Sequence, residues 1–154
     1  MGSGKSSVGK ALAKQSEYYF LDTDAMIESS EGKKIDTIFN ENGEEYFRKL
    51  EEETVQWLRS NVKQAIISTG GGMLVYCEAL KDVGKVIYLR VPFSTIMSRM
   101  NSDELAKRPL FKDAQKAKAL YNERDAIYEK KADLIIDADS SFEDVLTKLS
   151  AAVS

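Results

Sequence analysis

Apolar residues in this chain recur with two different periods, and the places where one gives way to the other divide it into elements. Val8 and Leu12, with the small Ala11 and Ala13, repeat at helical spacing and predict a helix from Lys5 to Lys14, with Gly9 allowing close approach to a sheet. Tyr18-Tyr19-Phe20-Leu21 has strand character and stops at Asp22-Thr23-Asp24, after which Ala25 to Ser30 reads as helix. Gly32 closes that segment. Ile35, Ile38 and Phe39 then share one face of a short helix that Gly43 ends near Asn42. From Glu44 to Arg59 a strongly charged helix carries an apolar stripe of Phe47, Leu50, Val55 and Leu58, with Arg48 and Glu51 three apart on a shared face. Ala65 to Ser68 and Val86 to Leu89 are compact strand patterns, the first running into Thr69-Gly70-Gly71-Gly72 and the second ended by Pro92. Ser94 to Met100 begins a helix with Ile96, Met97 and Met100 inward. Lys116 to Lys131 is a helix with Leu120, Tyr121, Ile127 and Tyr128 inward, and Leu134 to Ile136 is the last strand. Ser140 and Ser141 are caps for a final helix, Phe142 to Val153.

Strands alternating with helices predict an α/β fold, a parallel sheet covered on both faces, whose ligands collect at the C-terminal ends of the strands. The 154 residues suit one domain, and 43% hydrophobic with 31% charged residues describes a globular chain. A net charge of -3 gives no electrostatic case for nucleic acid or an anionic membrane as a partner, so a bound anion must meet a local cluster. The lone Cys77 rules out an intrachain disulfide and favours a cytoplasmic setting; the absence of histidine excludes histidine triads. The apolar runs are shorter than the roughly 20 residues of a membrane span.

Chemistry concentrates at the element junctions. Gly4-Lys5-Ser6, before the first helix, reads as the end of a phosphate-binding loop, in which backbone N–H groups cradle phosphate, lysine reaches the outer phosphates and the hydroxyl holds a metal ion. A glycine-rich tail would look the same in isolation. Asp22 and Asp24 leave a strand end where a ligand would sit, although Thr23 or Asp24 could simply cap the helix. The triple glycine fits either close ligand approach or a plain turn. The polar stretch Asn101 to Lys107, leading into Arg108-Pro109, has the composition of a lid over about 101–113.

Taken in order, Gly2-Ser3-Gly4-Lys5-Ser6-Ser7, Asp22-Thr23-Asp24, Gly43-Glu44 with Phe47-Arg48 and Glu51, Thr69-Gly70-Gly71-Gly72, Arg108-Pro109-Leu110 and Arg124 with Tyr128 resemble the shikimate kinases across essentially the whole chain. The resemblance implies a three-layer α/β/α P-loop kinase fold and transfer of the γ-phosphoryl group of ATP to the 3-hydroxyl of shikimate, on the route to chorismate and aromatic amino acids. It implies that Gly2 to Ser7 bind ATP, that Lys5 contacts the β- and γ-phosphates, and that Ser6 and, through water, Asp22 hold Mg²⁺. Asp24 would orient or deprotonate the attacking hydroxyl. Arg48 and Arg124 would clamp the substrate carboxylate, with Gly70, Gly71, Gly72, Phe39 and Phe47 around it in an acceptor region of about 24–59. Arg108 would close over the phosphates and Arg99 would stack on adenine. Such an enzyme is expected to be a monomer.

The family pattern has five strands, and the central one, with the first glycine of the loop, would precede Met1. We therefore expect upstream residues in the native protein, and an inactive chain without them, since about five buried apolar side chains at roughly 1.5 to 3 kcal/mol each rival the stability of a domain. Two other readings remain open at this point: another small-molecule kinase of the same fold, acting on gluconate or a nucleoside monophosphate, and a non-catalytic nucleotide-binding relative.

Overall fold

In the computed structural model, residues 5–99 and 113–153 are described, and they fall into two compact units, one Ser6–Lys85 and the other Lys5 with the described part of Val86–Ser154. The first opens with α1 (Lys5–Ser16), which buries Val8, Gly9, Leu12 and Ala13. Gly9 faces Phe20 and Ile66, but a Cβ there would sit 3.5 Å from Phe20 in ordinary contact, so the close approach expected at this glycine does not require it. Strand β1 (Tyr19–Asp22) leads directly into α2 (Thr23–Glu31), and β2 (Ala65–Ser68) lies parallel to β1, with Asp22 opposite Ser68.

Between them runs α3 (Ile35–Asn61), in which Gly43 adopts φ 86° and ψ 171°, a left-side backbone that a residue with a side chain rarely takes. The helix therefore breaks where the glycine predicts, and its two halves bring Phe39 and Phe47 to a ring separation of 4.7 Å. Ile38, Val55 and Leu58 are completely buried, each contributing about 1.5 to 3 kcal/mol. The buried stripe of the second half is Phe47, Glu51, Val55 and Leu58; Leu50, expected in it, is only half-buried. After β2, the glycines lead into a short helix, α4 (Met73–Tyr76), and a 3₁₀ turn (Glu78–Asp82), neither of which the apolar pattern predicts.

In the second unit β3 (Ile87–Arg90) and β4 (Leu134–Asp137) are parallel, and α5 (Phe93–Arg99) follows β3. Helix α6 (Ala114–Lys131) starts two residues earlier than its apolar pattern suggests because Asp113, placed by the sequence at the end of a lid, caps it by accepting from the N–H groups of Gln115 and Lys116. Ser141 caps α7 (Phe142–Val153), accepting from Asp144 N–H, and this helix buries Val145 and Leu149. The α/β alternation with parallel strands holds; among the described residues the strands pair two by two, β1 with β2 and β3 with β4.

Candidate active site

Because β1 and β2 are parallel and end in register, the segments that leave them, Asp22-Thr23-Asp24 and Thr69 to Gly72, emerge at the same edge. Their junction is tied by Thr23, fully buried, whose hydroxyl accepts a 3.3 Å hydrogen bond from Gly70 N–H. Asp22, rather than Thr23 or Asp24, caps α2: its Oδ1 accepts from Ala25 N–H at 3.1 Å, which fixes the carboxylate. Its other oxygen accepts from the Ser6 hydroxyl, 3.4 Å away on the first turn of α1. A hydroxyl and a carboxylate, both hard oxygen donors, are what Mg²⁺ takes from a protein when phosphates and waters supply the rest. These two would suit that ion, the pair the resemblance implies for it, Asp22 acting through water. Lys5, half-buried, begins the same helix, and Ser7 is exposed on it.

Two of the three glycines after β2, Gly70 and Gly72, leave space for side chains. A Cβ on Gly70 would lie 2.8 Å from Asp24 Oδ1 and 3.4 Å from Glu51 Oε2, so two carboxylates from α2 and α3 converge on its backbone. A Cβ on Gly72 would collide with Arg48 Nη1 and lie 2.8 Å from Cζ. Gly72 itself has ordinary right-handed helical angles, φ -87° and ψ -14°, so the contact with Arg48, not backbone conformation, calls for glycine. Gly71, between them, is half-buried.

Arg48 is held from several directions. Its Nη1 donates to Glu51 Oε1 at 2.6 Å, and its Nε approaches Glu44 Oε1 at 3.4 Å. Glu51 is 1% exposed and Glu44 59%, so the first pairing is dry and the second is open to water. Breaking a buried pair of this kind by removing one partner typically costs about 3 to 5 kcal/mol, because a charge is left inside. The guanidinium also lies over two rings, 4.2 Å from that of Tyr76 and 5.4 Å from that of Phe47.

The structure thus gathers Ser6 with Asp22, and Asp24 with Gly70, Gly72, Arg48 and Phe47, while Phe39 packs on Phe47. Arg124 lies half-buried on α6 and Arg99 is exposed at the end of α5, both in the second unit. Gly2, Ser3, Gly4 and Arg108, with most of the expected lid, lie outside the described residues. Sequence reasoning missed Thr23 as the hydroxyl that ties the two strand exits, and Tyr76. It saw that Glu51 could pair with Arg48 but not that Glu51 is buried; the spacing 47, 51, 55, 58 is a helical stripe into which the carboxylate fits.

A parallel α/β framework with a hydroxyl–carboxylate pair at a helix start and an arginine pressed against a glycine loop fits a P-loop kinase. The family model for shikimate kinase matches residues 1–154. The chain is 43% identical over 149 residues to a shikimate kinase of Helicobacter hepaticus, covering 97% of this chain and 89% of that protein. Its structure is similar to that of shikimate kinase from Aquifex aeolicus, with a TM-score of 0.84 and 36% identity over 99% of this chain and 91% of the other. It is likewise similar to the Acinetobacter baumannii enzyme in complex with shikimate, with a TM-score of 0.88 and 33% identity over 99% and 88% of the two chains. The chain belongs to the shikimate kinase family, ATP-dependent enzymes that phosphorylate shikimate.

Proposed function

We propose that in this shikimate kinase the 3-hydroxyl of shikimate is the acceptor, with Asp24 orienting it and Arg48 and Arg124 binding the substrate carboxylate. The observation that carries the reading is the convergence of Asp24 and Arg48 on the glycines that follow β2, one through Gly70 and the other through Gly72. Phosphoryl transfer asks little covalent chemistry of a protein, so fixed geometry and charge neutralisation are what the residues must supply. Arg48 supplies position: a forked guanidinium holds a carboxylate through charge-assisted hydrogen bonds worth roughly 1.5 to 3 kcal/mol each. Asp24, on the first turn of α2, would accept a hydrogen bond from the attacking hydroxyl and set its direction.

Gly2 to Ser7 would hold the ATP phosphates, with Lys5 reaching the β- and γ-phosphates; Ser6 and Asp22 would hold Mg²⁺, which when bound neutralises charge on them. Arg108 would bring a further positive charge to the transferring group, and Arg99 would stack on adenine. Gly71, Phe39 and Phe47 would shape the wall of the acceptor pocket. The same reading makes the protein a cytoplasmic monomer, in keeping with a lone, buried Cys77. Among the described residues no helix is long and apolar enough to cross a membrane.

The test is a coupled assay of ADP release with shikimate, gluconate and nucleoside monophosphates as acceptors, on the protein and on Arg48→Met. Stimulation by shikimate alone, with its KM raised roughly 100-fold by Arg48→Met and the KM for ATP unchanged, is the expected result. Stimulation by another acceptor and none by shikimate would overturn the assignment.

A further inference from the structure

Arg48 is surrounded unevenly. On one side Glu51 takes Nη1 at 2.6 Å, and behind it Gly72 leaves no room for a Cβ. Across its face lies the ring of Tyr76, 4.2 Å from Cζ, which is closer than Phe47 and well inside the distance at which a guanidinium is attracted to an aromatic face. Tyr76 is 52% exposed, so its burial in the core does not account for its place. Its backbone is locked to the same turn as the glycine: Tyr76 N–H donates to Gly72 C=O at 3.0 Å, and Met73 N–H to Gly70 C=O at 3.2 Å. Thus one short segment, Gly72 and the helix α4 that follows it, presents both the surface that Arg48 abuts and the ring that covers it.

We infer that Tyr76 is a positioning residue for Arg48, holding the guanidinium plane against Gly72 so that the substrate carboxylate meets a fixed fork. This rests on the reading of Arg48 as a carboxylate ligand. The division of labour among the partners follows from their exposure. Glu51, buried, stays on the arginine in every state, whereas Glu44, exposed and at 3.4 Å, is the partner that an arriving carboxylate displaces. Without the ring, displacement of Glu44 would leave the guanidinium tethered at one nitrogen by Glu51, with only the more distant Phe47 ring beside it, and able to swing. The ring opposes this swing through its face.

The experiment compares Tyr76→Leu, which keeps apolar bulk but has no π face, with Tyr76→Phe, which keeps the face. Tyr76→Leu is expected to raise the KM for shikimate three- to tenfold, with kcat within twofold and the KM for ATP unchanged. Tyr76→Phe is expected to restore the parent KM. Calorimetric titration with shikimate reads the same change as an affinity. In an Arg48→Met background the Tyr76→Leu effect should vanish. If Arg48→Met raises the KM while Tyr76→Leu does not, or if Tyr76→Phe is as impaired as Tyr76→Leu, the inference fails and the reading of Arg48 survives. If Arg48→Met leaves the KM for shikimate unchanged, the underlying reading fails with it.

Discussion

Two clusters in this molecule use the same three chemical groups and do different things with them. In the first unit, Arg48 meets Glu44, Glu51 and the ring of Tyr76. In the second, Arg90 meets Asp125, Glu129 and the ring of Tyr88, with Nε 3.0 Å from Asp125 Oδ1 and the Tyr88 hydroxyl donating to the same oxygen at 2.7 Å. The difference lies in where the carboxylates are anchored. Those of Arg48 belong to its own helix, so pairing joins no two elements and serves to aim a side chain. Those of Arg90 belong to α6 while the arginine ends β3, so pairing fastens helix to strand, helped by Tyr121, whose hydroxyl donates to Val91 C=O at 2.6 Å. Among the described residues, the Arg48 cluster also has glycine backbone pressed against it and the Arg90 cluster does not. An arginine–carboxylate pair by itself therefore identifies neither a site nor a brace.

The contrast is testable, and its largest expected effect is at Gly72. Gly72→Ala keeps a backbone conformation that alanine adopts freely, yet its Cβ would displace the Arg48 guanidinium. Misplacement by about 1 Å at a binding group can cost roughly 100-fold, so kcat/KM for shikimate should fall by about that factor. Any loss of stability should stay below the roughly 3 to 5 kcal/mol of breaking the Arg48–Glu51 pair outright, since Glu51 keeps a displaced but present partner. Loss of stability with normal kinetics would place Arg48 among the braces.

At the other cluster the expectation is reversed. Asp125→Ala deprives Tyr88 and Arg90 of their shared acceptor and should cost about 2 kcal/mol in urea unfolding, by the usual worth of hydrogen bonds to charged groups. The KM for shikimate should remain within about twofold. Because Asp125 adjoins Arg124 in sequence, a large rise in KM with unchanged stability would mean that this cluster also aims a side chain, and the contrast would collapse.

The smallest effect concerns alkaline pH. Burial, then the hydrogen bond to Asp125, push the Tyr88 phenol above its ordinary value of 10.0, and burial with the Asp125 charge raises Tyr121 as well. Below about pH 10 both folded and unfolded chains keep these protons and stability is unaffected. Above it the unfolded chain releases them while the folded one does not, so stability falls as pH rises. Tyr88→Phe should make that decline shallower, leaving the parts due to Tyr121, Tyr46 and Lys33, whose folded values are also raised, as followed by urea titrations between pH 9 and 11. An unchanged slope would show that the Tyr88 hydroxyl is not engaged as described.

The sequence made some of this legible and hid the rest for identifiable reasons. Strand and helix periods announced the α/β alternation, and Gly43 announced the break in α3, because each is a property of neighbouring residues. Which strands pair is a property of distant ones, and nothing in Tyr19–Asp22 names Ala65–Ser68 as its partner. Reading buried positions as apolar ones put Leu50 where Glu51 belongs. Tyr76 escaped notice because a four-residue helix is too short to show a period. Asp22, Asp24, Arg48 and the glycines were legible through their motif, and the physical reason for Gly70 and Gly72 emerged only from what a Cβ would strike.

Gly43 carries a consequence for where the geometry of α3 is controlled. In an unbroken helix, Phe39 and Phe47, eight residues apart, would be separated by about 12 Å along the axis. Here their rings are 4.7 Å apart, because the chain turns at a residue around which a Cβ would find nothing within 4 Å. The register between the two halves of α3 is thus set by a backbone angle at a point where an added side chain would meet nothing. A search for important positions by contact or burial would pass over it, whereas one guided by dihedral angles would begin there.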